Sequence, residues 1–178
     1  MKTIFKLSAP VIGLFGLMFC FLFGVILTGE EDQSASPSVE VGLNLSPEVL
    51  KHQAMVEKYC KEFGIPEHVK TILAIIQVES GGTAEDVMQS SESLGLPPNS
   101  LSTAASIKQG CKYFSELIQG IKAHGCDEST AIQAYNFGGG FINYVANHGK
   151  KYSYELAESF SKEKAGGKKA DYPNPIAI

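Results

Sequence analysis

The chain opens on an uninterrupted apolar run. Leu7 to Leu27 holds no charged residue; Lys2 and Lys6 precede it, and Glu30, Glu31 and Asp32 follow. A helix over those positions is about 30 Å long, enough to cross the hydrocarbon core of a bilayer. The rival reading is a cleaved signal peptide, whose apolar core is ordinarily about 7–15 residues and ends close to a small-x-small site. Here the run is longer and "TGEEDQ" follows it. The nearest such site, "SAS" at Ser34–Ser36, lies well downstream, before Pro37. We therefore expect an uncleaved anchor at 7–27 in the cytoplasmic membrane, a cytoplasmic start at 1–6, and the remainder outside, since the lysines lie before the span. Residues 28–45 are polar, rich in Ser and Pro, and without periodicity, which predicts a linker.

From residue 46 the spacing turns helical. "LSPEVLKHQAMVEKYCKEFG" has Ser46 as a cap and Pro47 at the first helical position; Val49, Val56, Cys60 and Phe63 share a face, and Gly64 ends it. "IPEHVKTILAIIQVES" restarts at Pro66, with Val69, Ile72, Leu73 and Ile76 as a stripe. "LSTAASIKQGCKYFSELIQGIKAHG" predicts a longer helix that buries Ile107, Cys111, Phe114, Ile121 and one of Leu117 and Ile118, closing near Gly125. Asp127 caps "ESTAIQAYNFG", and "FINYVANHG" and "YSYELAESFSKEKAGG" give two further short helices. No stretch alternates long enough for a buried strand. The expectation is a mainly α domain over 46–178, five or six helices around one core.

Composition narrows the function. The net charge is −4, every basic residue is lysine, and no basic stripe appears, so nucleic acid is not an expected partner. His52, His68, His124 and His148 are scattered without an i,i+4 pair, and no Cys-x-x-Cys occurs, so neither a metal nor another cofactor is expected. Three cysteines lie beyond the apolar run. Spacing most easily allows Cys111–Cys126 to pair; the alternative is that Cys60, Cys111 and Cys126 are all small buried apolar residues.

Glu79 stands out in "AIIQVESGGTAEDVMQSSES". Ile72, Ile76 and Glu79 are spaced by four and three, so the carboxylate leaves the core-facing edge of its helix in the last turn. Partial desolvation and the negative end of the helix dipole both favour the protonated form there. A carboxyl that keeps its proton near neutral pH is suited to act as a general acid. A glutamate simply ending its helix in solvent, with Gly81 and Gly82 as terminators, is the plain alternative. Gln89, Ser90, Ser91, Glu92 and Ser93 add amides, hydroxyls and a second carboxylate able to face a sugar. "AYNFGGGF" adds Tyr135, Asn136 and Phe137 at a helix end, followed by Gly138–Gly140, which permit close backbone approach.

Taken together, "QVESGG", "VMQSSESLGLPPNSL", "SIKQGCKYF" and "IQAYNFGGGFINYV" resemble the bacterial goose-type lysozyme-like domains, and most of all the cell-wall muramidase module of Gram-positive conjugative elements. The resemblance covers roughly Ser46 to Pro175. It implies a lysozyme-like fold, Glu79 as the catalytic acid, and a glycan groove lined by Gln89, Ser91, Glu92, Tyr135, Asn136 and Gly138, with Ser90 and Phe137 beside them. It also implies peptidoglycan strands as substrate, cut between N-acetylmuramic acid and N-acetylglucosamine, and a conjugation or secretion apparatus as the machinery served. Such proteins usually continue into an NlpC-type cysteine peptidase domain; this sequence ends at "DYPNPIAI" without one.

Glycosidases ordinarily use two carboxylates. Asp86 and Glu92 both follow Glu79, and Glu92 is the expected partner. The animal goose-type enzymes have an aspartate shortly after their Met-Gln pair; the matching position here is Ser91, with Glu92 one residue on. Two other outcomes stay open: a lytic transglycosylase, in which one acid/base directs the muramyl C6 hydroxyl onto its own anomeric carbon, and a non-catalytic wall-binding scaffold.

Overall fold

Ser46 and Pro47 begin the first helix as their chemistry predicts. In the computed structural model, which describes residues 45–164, the Ser46 hydroxyl accepts the Val49 N–H and Pro47 takes the first helical position. The α-helices in order are α1 (Pro47–Leu50), α2 (Gln53–Glu62), α3 (Val69–Ser80), α4 (Thr103–His124), α5 (Glu128–Phe137), α6 (Gly140–Ala146) and α7 (Tyr154–Lys164). Short 3-10 turns occupy Pro66–His68 and Ser90–Leu94, and no strand occurs among the described residues. The expected anchor at 7–27 and most of the linker lie outside the described residues. Within them, no helix is long and apolar enough to cross a membrane.

Each of the six expected helical segments forms. The first divides at Lys51–His52, where the His52 ring turns to the Gly82 carbonyl at 3.0 Å. The third helix departs from the simple stripe: Ile72, Leu73, Ala74, Ile75 and Ile76 are all buried in succession. A helix apolar on every side belongs in the middle of a core. α3 is thus buried through its middle, and its last turn rises to half-buried positions that include Glu79.

α4 is the longest element, about 33 Å from end to end. It packs on α2, α5 and α6, and buries Ile107, Cys111, Phe114, Leu117, Ile118 and Ile121. Ser106 and Gly110 are buried on it too, where small residues let other backbone come close. Asp127 caps α5 through the Thr130 N–H and also accepts the Tyr152 N–H at 3.0 Å, tying the segment before α7 to the start of α5. Phe160 of α7 meets Phe137, Phe141 and Tyr144 at 5.2–5.6 Å between ring centroids.

Cys60, Cys111 and Cys126 are all free thiols. Cys111 lies mid-helix against Cys60, both fully buried, while Cys126 follows the end of α4 with its sulfur toward the Ile142 carbonyl. The Cys111–Cys126 pairing that spacing allowed is therefore not formed, because the length of half a helix separates the two.

Candidate active site

Three segments converge at the open end of α3. Gly81 ends the helix at φ 59°, ψ 15° and Gly82 follows at φ 78°. The second glycine is demanded twice over. Its φ favours glycine, and a Cβ there would come within 2.6 Å of the Glu48 carbonyl carbon and 2.8 Å of the Val49 nitrogen. Ser46 binds the same helix end from outside, its N–H donating to Gln77 Oε1 at 2.8 Å. Ser80, next to Glu79, donates its hydroxyl to the Val87 carbonyl at 2.8 Å and accepts the Gly82 N–H. The end of α3 is thus held in place on either side of Glu79.

Glu79 itself is half-buried and has no ion pair among the described residues. Burial of the carboxyl first, then the negative charges of Glu92 and Asp86, push its pKa from the ordinary 4.5 up to about 7. No lysine occurs between Lys70 and Lys108 to oppose them. The group therefore holds its proton close to neutrality.

Asp86 and Glu92, the two carboxylates left open by sequence, separate cleanly in the structure. Asp86 is completely buried. Its Oδ1 accepts the Ser90 N–H at 3.0 Å and the Ser106 hydroxyl at 2.6 Å; its Oδ2 accepts the Ser91 N–H at 3.2 Å and the Ser91 hydroxyl. Those bonds shape the 3-10 turn Ser90–Leu94, and they leave neither oxygen of Asp86 free. Glu92 stands exposed on that turn with no ion pair among the described residues, close enough to Glu79 to raise its pKa.

The expected groove residues divide in the same way. Gln89, in the left-handed region at φ 46°, is half-buried and donates to the Asp86 carbonyl and to Asn99 Oδ1, both at 2.9 Å. Asn136 and Gly138 are half-buried, and the Asn136 amide makes no side-chain hydrogen bond among the described residues. Ser90 and Ser91 are buried. The Ser90 hydroxyl donates to the Ser106 carbonyl, and that of Ser91 accepts the Ser100 N–H, so both hydroxyls serve the turn and not an open surface. Tyr135 is only 9% exposed and donates its hydroxyl to the Met88 carbonyl at 3.0 Å. Phe137 packs into the aromatic cluster with Phe141 and Phe160.

Sequence reasoning missed the role of α4, which it read as a core helix alone. Ser106 holds Asp86 and the Met88 N–H; Gln109 donates to the Ser93 hydroxyl at 2.9 Å. Gly110 lies so close to Met88 and Tyr135 that a Cβ would be 2.5 Å from Met88 Cε and 3.0 Å from the Tyr135 hydroxyl. Tyr113 leans on Tyr135. One face of α4 is therefore the floor on which the Glu92 turn and the Tyr135–Gly140 segment both rest. The recurrence of small or polar residues at 106, 109, 110 and 113 is the signal that marks it.

A half-buried glutamate at a helix end, its pKa raised to about 7 with the help of a second carboxylate on a short turn, is a group suited to giving up a proton near neutrality. A family model described as Lysozyme-like matches residues 46–178, and the chain belongs to that family. It is 40% identical over 165 residues to the bifunctional muramidase/DL-endopeptidase CwlT of Bacillus subtilis, a match covering 89% of this chain and 48% of that protein. It is 39% identical over 113 residues to the membrane protein YocA of the same organism, covering 63% of this chain and 50% of that one. A crystal structure from Staphylococcus aureus subsp. aureus Mu50, described as similar to a lipoprotein of the NLP/P60 family, superposes with a TM-score of 0.73 at 71% identity; it covers 77% of this chain and 46% of that one. The chain thus spans about half the length of these relatives.

Proposed function

We propose that this chain is a membrane-anchored N-acetylmuramidase that cuts peptidoglycan glycan strands between N-acetylmuramic acid and N-acetylglucosamine. The observation that carries the reading is the Glu79 carboxyl, held protonated up to about pH 7 at the open end of α3. Glu79 gives its proton to the glycosidic oxygen, which leaves as the 4-hydroxyl of N-acetylglucosamine. Glu92 takes a proton from the water that attacks the muramyl anomeric carbon. The product is a reducing N-acetylmuramic acid end; Glu92 then releases its proton to solvent and Glu79 takes one up, which restores both carboxyls. Asp86 takes no part in the proton transfers, since both its oxygens are committed; it holds the turn that presents Glu92. The Asn136 amide and the open backbone at Gly138 bind the glycan. The relative named as a muramidase supports this substrate.

The membrane placement rests on the apolar run at 7–27 and on the relative named as a membrane protein. An outward-facing domain on a linker of this kind reaches the wall, where it opens strands locally for a conjugation or secretion apparatus. Mass spectrometry of the muropeptides released from purified wall tests the chemistry. Reducing muramic ends are expected. Anhydro ends throughout would remove Glu92 from the mechanism and make the chain a lytic transglycosylase.

A further inference from the structure

A glycan groove needs a flat apolar surface for a pyranose ring, and neither aromatic residue picked out from the sequence supplies one. Tyr135 is buried with its hydroxyl on Met88, and Phe137 is packed against Phe141 and Phe160. We propose that Tyr113 of α4 is a glycan-binding residue, its exposed part the platform for the sugar on the Gly138–Gly140 side of Glu79. The inference rests on the muramidase reading given above.

Tyr113 is half-buried, so part of its side chain is open to solvent, and its ring is tilted against Tyr135 at 5.6 Å between centroids and 54° between planes. Tyr135, the ring Tyr113 leans on, in turn lies within electrostatic reach of Glu79. The Gly139 backbone lies close enough to the phenolic oxygen to oppose the rise in its pKa that burial causes, which sets Tyr113 beside the glycine run. Leu117, one turn further along α4, lies beneath the same glycine, 3.8 Å from where a Cβ would stand. Gly138 and Gly140 have open space where side chains would be, so the segment around Gly139 leaves room for a ligand. The C–H edges of a pyranose stack well on such a surface. A tyrosine supplies that area at little entropic cost, having only two side-chain torsions to fix.

The chain contains no tryptophan, so Tyr113→Trp is a single fluorescent reporter. In the full chain with Glu79→Gln to prevent turnover, soluble uncrosslinked glycan strands should shift its emission in a saturable way. A Tyr154→Trp control, on exposed α7, should not respond. In the otherwise unaltered chain, Tyr113→Ala should raise KM roughly five- to tenfold with little change in kcat, while Tyr113→Phe keeps KM near that of the parent, because the ring does the binding. An unmoved emission from position 113 at strand concentrations above KM, or an unchanged KM in Tyr113→Ala, overturns the assignment. A parent chain that neither cleaves wall nor shifts the reporter overturns the muramidase reading itself, and this assignment with it. A reporter that responds in a chain that does not cleave supports Tyr113 while rejecting the enzyme.

Discussion

The Tyr135 hydroxyl donates to the Met88 carbonyl at 3.0 Å, joining the end of α5 to the loop that descends from Glu79 across 47 residues of sequence. Both groups are buried, so the bond is made in a setting where an unpaired carbonyl is costly. Tyr135→Phe should cost about 1–3 kcal/mol in urea unfolding. It should also lower kcat, because the loop that carries Asp86 and the Glu92 turn loses its fixed point. Full activity in Tyr135→Phe would mean that the loop is held by other contacts.

Glu79 ties stability and catalysis to the same proton. Its folded pKa of about 7 exceeds the ordinary 4.5, so the folded state binds the proton more tightly than the unfolded chain. The stability that follows is complete below about pH 4.5 and is lost as pH rises through 7; the loss reaches roughly 3 kcal/mol. Glu79→Gln, which cannot ionise, should therefore be more stable than the parent at pH 8 and no more stable at pH 4.5. Thermal unfolding at the two pH values checks this. Activity should likewise fall as pH rises through 7, when the acid loses its proton.

The two glycines after Glu79 should differ sharply on substitution. Gly81→Ala meets nothing closer than Gln77 Nε2 at 3.9 Å and pays only for its left-handed φ, about 1 kcal/mol. Gly82→Ala adds a clash with the backbone of α1 at Glu48 and Val49, which has no flexible end to move aside. It should lose about 3 kcal/mol or more. Equal effects at the two sites, measured by denaturant unfolding, would contradict the close packing of α1 on the end of α3.

Asp86→Asn turns an amide N–H toward one of two backbone donors, at Ser90 or Ser91. The turn should loosen at a cost of about 2–3 kcal/mol. Hydrogen exchange would register this as lost protection at the Ser90 and Ser91 amides, with activity falling in parallel. Protection unchanged alongside lost activity would instead give Asp86 a direct chemical role.

Much of this was legible in the order of residues. Caps at Ser46 and Asp127, stops at Gly81 and Gly125, and 3.6-residue spacing located the helices, because those signals are local. Glu79 was legible for the same reason: its spacing from Ile72 and Ile76 needs only the geometry of one helix. What escaped depends on contacts between distant segments. That Ser91 and Tyr135 turn inward, that Asp86 gathers the bonds of the turn, and that α4 underlies both walls follow from Ser106 and Gly110 meeting residues 16 to 25 positions away. Polar side chains in a Ser- and Gln-rich stretch look alike until the buried carboxylate that gathers them is placed.

The central claim is that Glu79 supplies the proton for glycan cleavage. Release of reducing ends from purified peptidoglycan, compared between the full chain and its Glu79→Gln variant at pH 6, tests it most directly. The account predicts steady release by the parent and none above background by the variant, with both folded to the same extent. Equal release by the two would contradict it.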